Sequence, residues 1–125
     1  LNDAEAARNW AVRRIRSRPM GRRSMEQELK RLGLSDSIIE DAVSRTYEDR
    51  TELEHARRAA EKRLKALGGK DKVRDRLLRF LQGRGFSVQI CFQAAENVLN
   101  RRKQHEEENG GLPLETEYPT QVQKE

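Results

Sequence analysis

Cysteine is nearly absent from this 125-residue chain, with Cys91 standing alone. A single thiol excludes an internal disulfide framework and favours an intracellular setting. Only two histidines accompany it, too few ligands for most zinc sites. Aromatic residues make up 5% of the chain and hydrophobic residues 34%. No stretch approaches the ~20 apolar residues of a membrane span, and no signal-peptide pattern opens the sequence. The expected protein therefore uses no cofactor or metal and avoids the membrane. It also offers little material for an enzyme. What it has instead is charge, at 38% of residues.

That charge is unevenly placed. Residues 104–125 hold six acids (Glu106, Glu107, Glu108, Glu115, Glu117 and Glu125) against Lys124, a net −5. The remaining 103 residues therefore carry +10 out of a total of +5. The acidic segment also contains Gly110, Gly111, Pro113 and Pro119 and has no apolar period. It reads as a disordered tail that cannot bury enough surface to offset its ordering entropy. The basic body predisposes the chain toward polyanions.

Helix punctuation divides that body. Asn2 or Asp3 can cap a first helix, with Ala7, Ala11 and Ile15 on one face beside Trp10. Pro19 and Gly21 interrupt it. Ser24 and Gln27 fit a capping box before Met25, Leu29 and Leu32, and Gly33 is placed to end that helix in the left-handed conformation. Ser35–Ser37 offers the next cap, with Glu40 completing a Ser37 box ahead of Ile38, Ile39, Ala42, Val43 and Tyr47. Thr51 and Glu54 form another box before Leu53, Ala56, Ala60, Leu64 and Leu67, spaced by 3, 4, 4 and 3. Asp71 can start a fifth helix, with Val73, Leu77, Phe80 and Leu81 inward. Gly85 breaks it, and Ser87 caps a last helix carrying Ile90, Cys91, Ala94, Ala95, Val98 and Leu99.

A shift of 52 residues aligns the chain with itself: Leu29 meets Leu81, Gly33 meets Gly85, Ser35 meets Ser87 and Ala42 meets Ala94. The glycine and serine punctuation falls in register with the apolar positions. The predicted fold is all-α, with two tandem three-helix repeats over residues 1–50 and 51–103, elongated, followed by the tail at 104–125.

Three strings resemble the RecX family of regulatory proteins. Leu1-Asn2-Asp3 followed by Ala7 is similar to the family's repeat start, Leu-Asp-Asp with an aromatic residue before Ala. Arg16–Arg18, Gly21 and Glu28-Leu29-Lys30-Arg31-Leu32-Gly33-Leu34 resemble its middle repeat, an Arg-rich stretch and an EL-x-x-K-G-I core. Phe80-Leu81-Gln82-Gly83-Arg84-Gly85-Phe86-Ser87 resembles its closing FL-x-x-RGF run, the most specific of the three. Asn2, Ala6 and Leu32 depart from the usual residues. Family members usually have three repeats, so this chain looks like the last two. The resemblance implies a protein that lodges in the groove of a RecA-type recombinase filament on DNA and restrains its ATPase and strand exchange. It would act as a monomer, in the cytoplasm if bacterial. A plant source would imply a plastid or mitochondrion, with any transit peptide lying outside this sequence.

The candidate filament and nucleic-acid contacts are Arg13, Arg14, Arg16, Arg22, Arg23, Lys30, Arg31, Arg57, Arg58, Lys62, Arg63, Arg74, Arg76, Arg79 and Arg84. Guanidinium forks donate paired hydrogen bonds to phosphates or carboxylates. A helix–turn–helix base reader over residues 25–32 and 36–47 fits poorly, because Asp36, Glu40, Asp41 and Glu48 would meet phosphates with only Arg45 to offset them. Two alternatives remain open: a general nucleic-acid-binding helical module, and an interaction repeat whose charge serves solubility. His55 lies between Glu52 and Glu54 without a nucleophile and is expected on the helix surface, while Cys91 is expected to be a buried structural thiol.

Overall fold

The computed structural model describes residues 3–109. Six helices follow one another: α1 (Ala4–Ser17), α2 (Arg22–Arg31), α3 (Asp36–Asp49), α4 (Glu52–Leu67), α5 (Val73–Gly83) and α6 (Val88–Asn109). They make two three-helix repeats, and among the described residues there is no strand. No helix among the described residues is long and apolar enough to cross a membrane. By its contacts the chain divides into two units after Ala95.

Local chemistry explains most of the helix starts. The Asp3 carboxylate accepts from the Ala6 amide at 2.7 Å. Ser35 accepts from Ile38 at 3.4 Å and Ser87 from Ile90 at 3.3 Å. Thr51 and Glu54 close a full capping box, with Thr51 N–H to Glu54 at 2.9 Å and Glu54 N–H to the Thr51 hydroxyl at 3.2 Å. Gly33 and Gly85 end α2 and α5 with φ of +82° and +84°, a conformation that costs glycine little.

Three expected starts are corrected. The Ser37–Glu40 box does not form, because Ser35 is the cap and Ser37 lies inside α3. Helix α2 begins at Arg22 rather than after Ser24, with Gly21 as a cap that offers no side chain. The missing acceptor comes from elsewhere: Glu52 of α4 accepts from the Arg22 amide at 3.1 Å, placing a carboxylate at the positive end of α2. Helix α5 starts at Val73 behind Lys72, whose φ is +57°, so Asp71 is not its cap. The Asp71 carbonyl instead accepts from Arg76 Nε at 2.9 Å.

Helix α3 packs on α1 and α2, and α4 packs on α5. The first core gathers Ala7, Ala11, Ile15, Met20, Met25, Leu29, Ile39, Ala42, Val43 and Tyr47, with Trp10 packed against it. The second repeat buries Ala56, Ala60, Leu64, Leu67, Leu77, Leu81 and Phe86. Register is kept between repeats: Met25 and Leu77, Leu29 and Leu81, and Ala42 and Ala94 are all fully buried. Alanine at so many of these positions lets the helix backbones approach closely.

The repeats meet backbone to backbone. The Gly21 amide donates to the Arg84 carbonyl at 2.9 Å. A methyl group on Gly21 would sit 2.1 Å from the Gly85 carbonyl oxygen, and one on Gly85 would sit 2.1 Å from the Ser24 hydroxyl. Tyr47 donates to the Met20 carbonyl at 2.8 Å, fixing the turn that leads into this joint.

Residues 104–109, expected to belong to the disordered tail, instead continue α6. Glu106–Glu108 are good helix formers, and Arg102 Nε lies 3.6 Å from Glu106 one turn on. The expected disorder of residues 110–125 and the Leu1-Asn2 part of the first string lie outside the described residues.

Candidate nucleic-acid interface

The arginines fall into two groups by what they touch. Arg14 grips Glu28 with both ends of its fork, Nε to Oε1 at 2.7 Å and Nη2 to Oε2 at 3.1 Å, tying α1 to α2. That hydrogen bonding holds the Glu28 carboxyl below the usual range and lifts Arg14 above its own. Arg8 does the same for α1 and α3 through Asp41 at 2.8 Å. Asp41 therefore serves packing, as its poor fit to a groove-reading helix suggested. Arg22 lies over the Tyr47 ring at 5.2 Å, with Nε 3.9 Å from Glu52.

In the second repeat three arginines lie against aromatic rings. Arg84 and Arg63 stand 4.7 and 5.1 Å from the centroid of Phe80, a cation–π arrangement. Arg84 also donates to the Pro19 carbonyl at 3.0 Å, across the joint between repeats. With Lys62 and Ser17 these residues line a cavity of about 190 Å³. Burial, and then the charges of Arg18, Arg63 and Arg14, lower the Arg84 pKa. Lowering by neighbouring cations marks a locally electropositive patch. Arg74 stands 5.5 Å from the Phe92 centroid, and Arg76 is bonded to the Asp71 carbonyl.

Exposed cations supply the rest of the surface. Arg13, Arg16, Arg23, Lys30, Arg31, Arg58, Lys62 and Arg79 are all exposed, while Arg57 is half-buried. Arg23 lines a cleft of about 620 Å³ between the repeats, which it shares with Arg22, Glu26, Glu52 and Ser87. Arg16 and Arg58, on α1 and α4, converge on a further cavity of about 350 Å³. Arg45 and Arg50 complete its cationic lining, and neither was among the candidate residues. Their signal in the sequence was the run Arg45, Arg50 and Arg58 on both sides of the Thr51 cap, where the chain turns from α3 into α4.

His55 corrects its expected place on the helix surface, being only 4% exposed. Position explains the difference: it lies one residue before Ala56, at the joint where α4 meets Tyr47, whose ring stands edge-on at 5.6 Å. Burial, and then Arg58 and Arg50, push its pKa down to about 4. Cys91 is buried and unpaired, with Sγ 3.5 Å from the Phe86 carbonyl, and burial raises its pKa. Among the described residues no three His, Cys, Asp or Glu side chains gather as a metal site would require.

Comparison with known proteins places both repeats. Residues 2–43 match the model of the RecX second three-helix domain, and residues 50–95 match that of the third. The "Regulatory protein RecX" of Chlorobaculum tepidum is 34% identical over 99 residues, covering 78% of this chain and 59% of that protein. Its namesake in Streptomyces coelicolor is 30% identical over 114 residues, covering 88% and 59%. The Vibrio campbellii protein is 44% identical over 68 residues, covering 54% and 43%. The chain thus spans 59% or less of the length of these relatives. No solved structure matches it.

Proposed function

The chain belongs to the RecX family of regulatory proteins, and from that premise we propose that it restrains a RecA-type recombinase filament assembled on DNA. In this reading it acts without catalysis, as a monomer. Its repeats, residues 1–50 and 51–103, lie in the filament groove and slow ATP turnover and strand exchange. The observation that carries the reading is the succession of two family domains in one chain, presenting exposed arginines from both repeats. Arg13, Arg16 and Arg23 in the first repeat and Arg58, Lys62 and Arg79 in the second are the contacts we favour, since they are exposed. Such side chains suit DNA phosphates and the acidic side chains of a protein groove alike.

Titration into a RecA-type recombinase on single-stranded DNA tests this. Falling ATP hydrolysis with co-sedimentation of the chain is expected. Unchanged hydrolysis together with no co-sedimentation would overturn it. A second reading, a nucleic-acid-binding module without recombinase specificity, is favoured by the pairing of Arg63 and Arg84 with the Phe80 ring. It predicts steeply salt-dependent binding to naked DNA, with no gain in affinity when a filament is present.

A further inference from the structure

The cavity of about 350 Å³ draws its lining from both repeats: Arg16 of α1, Arg45 and Asp49 of α3, Arg50 of the linker, and His55 and Arg58 of α4. Four guanidiniums thus face one carboxylate. His55 is buried, and neither of its ring nitrogens has a hydrogen-bond partner. A neutral imidazole carries one donor and one acceptor, and buried polar groups are almost always satisfied. The neighbouring hydroxyls donate elsewhere, Thr46 to the Ala42 carbonyl at 2.8 Å and Tyr47 to the Met20 carbonyl at 2.8 Å. The cavity therefore combines an excess of positive charge with an enclosed imidazole beneath its lining.

We propose that this cavity binds a phosphate group, with Arg16, Arg45, Arg50 and Arg58 holding its oxygens and the buried His55 ring behind them sensing its charge. A tetrahedral phosphate presents four oxygens to a carboxylate's two, which suits four guanidinium forks better. The cavity is also of the size that holds a nucleotide unit, so a backbone phosphodiester fits as well as a free ion. The proposal deepens the filament reading by naming a phosphate contact, and it rests on that reading only for which phosphate is met in use.

Binding carries a proton linkage. Burial, Arg58 and Arg50 keep His55 neutral against the weaker opposite pulls of Glu54 and Asp49. An oxyanion beside the ring favours its protonated form. The folded chain then takes up a proton as it binds, and affinity rises as the solution is acidified from neutral toward the His55 range.

The test uses the full chain without recombinase, read through nitrogen-resolved imidazole spectra of His55 and His105. One arm adds the dinucleotide dTpdT, whose phosphodiester keeps a single charge throughout. A second adds inorganic phosphate at neutral pH, and a third adds acetate. We expect the His55 resonances to move with dTpdT or phosphate, its pKa to climb above the free value, and dTpdT to bind several-fold tighter in weak acid. Movement with dTpdT alone identifies a nucleic-acid backbone site, and equal movement with phosphate a site for the free ion. The variants Arg45→Ala and Arg58→Ala, at exposed positions, should each weaken binding by about tenfold while helical circular dichroism is kept. A His55 unmoved by both phosphates overturns the proposal, as does acetate acting as strongly as phosphate, which would point to an acidic protein partner. A silent His55 with inhibited ATP turnover removes the cavity and spares the filament reading, and a responsive His55 with unchanged turnover does the reverse.

Discussion

Replacing Gly21 with Ala tests the joint between the repeats most directly. The new methyl group would lie 2.1 Å from the Gly85 carbonyl oxygen, 2.4 Å from its carbon and 2.6 Å from the Phe86 nitrogen. All three are backbone atoms, so no side chain can swing aside. Overpacking of this kind costs about 1–3 kcal/mol. Separation of the strands of chain also endangers the bond from the Gly21 amide to the Arg84 carbonyl, worth roughly 1 kcal/mol. A loss of about 3 kcal/mol follows, which for about 100 ordered residues lowers the melting temperature by roughly 15 °C. Two controls calibrate it. Gly33 has φ +82° but open space around it, so Gly33→Ala should cost only the left-handed penalty, about 1 kcal/mol. Gly83 has neither constraint, and Gly83→Ala in α5 should be neutral or stabilising. Thermal unfolding followed by circular dichroism orders the three variants. Should Gly21→Ala melt with Gly33→Ala, the repeats do not touch through this backbone contact and the reasoning fails.

Tyr47→Phe removes the buried bond to the Met20 carbonyl and should cost about 1–2 kcal/mol in denaturant unfolding. Glu28 has a depressed pKa when folded, so its contribution is present above the unfolded value and fades as pH falls through the folded one. Glu28→Gln should accordingly be less stable at neutral pH but lose less on acidification, as paired melts would record. His55 has the opposite chemistry and the same slope: a base held at about 4 when folded leaves the unfolded state binding more protons below roughly pH 6.5. Acid from there down to pH 4 should destabilise the chain by up to about 3 kcal/mol, and His55→Phe should flatten that slope. Cys91, buried with a raised pKa, should resist thiol reagents in the folded chain and react promptly in denaturant.

Legibility followed whether a feature was local. Asp3, Thr51 and Ser87 cap as read because the acceptor and the amide it serves lie within three residues of each other. Gly33 and Gly85 end their helices as read because only a left-handed residue satisfies both turns. The repeat register was legible for the same reason, since each three-helix unit solves the same packing problem. What escaped was set across the fold. Glu52 caps α2 from thirty residues away, so the local box at Ser24 had no role to fill. His55 is buried by the other repeat, and one helix read alone could not reveal that. Arg45 and Arg50 acquire a partner surface only when α1 and α4 close over the linker between α3 and α4.

The arginines show why a basic composition could locate a surface but not a site. A guanidinium satisfies a carboxylate, a carbonyl or an aromatic face with the same fork, so sequence spacing does not say which one it meets. Arg8 and Arg14 meet carboxylates within the first repeat, while Arg22, with Nε 3.9 Å from Glu52, and Arg84 bridge the two repeats. Substituting Arg14, Arg22 or Arg84 would loosen the scaffold and lower any binding indirectly. Arg16 and Arg58 are exposed, enter the same cavity from different repeats, and carry no comparable share of the joint. A paired change of Arg16 and Arg58 to Ala should therefore weaken filament or DNA binding with little shift in melting temperature. Arg14→Ala should lower the melting temperature by several degrees, the half-exposed bidentate pair with Glu28 being worth about 1 kcal/mol. If instead Arg14→Ala leaves stability untouched and abolishes binding, the division of arginines by their contacts is wrong, and the surface must be reassigned from the clasp outward.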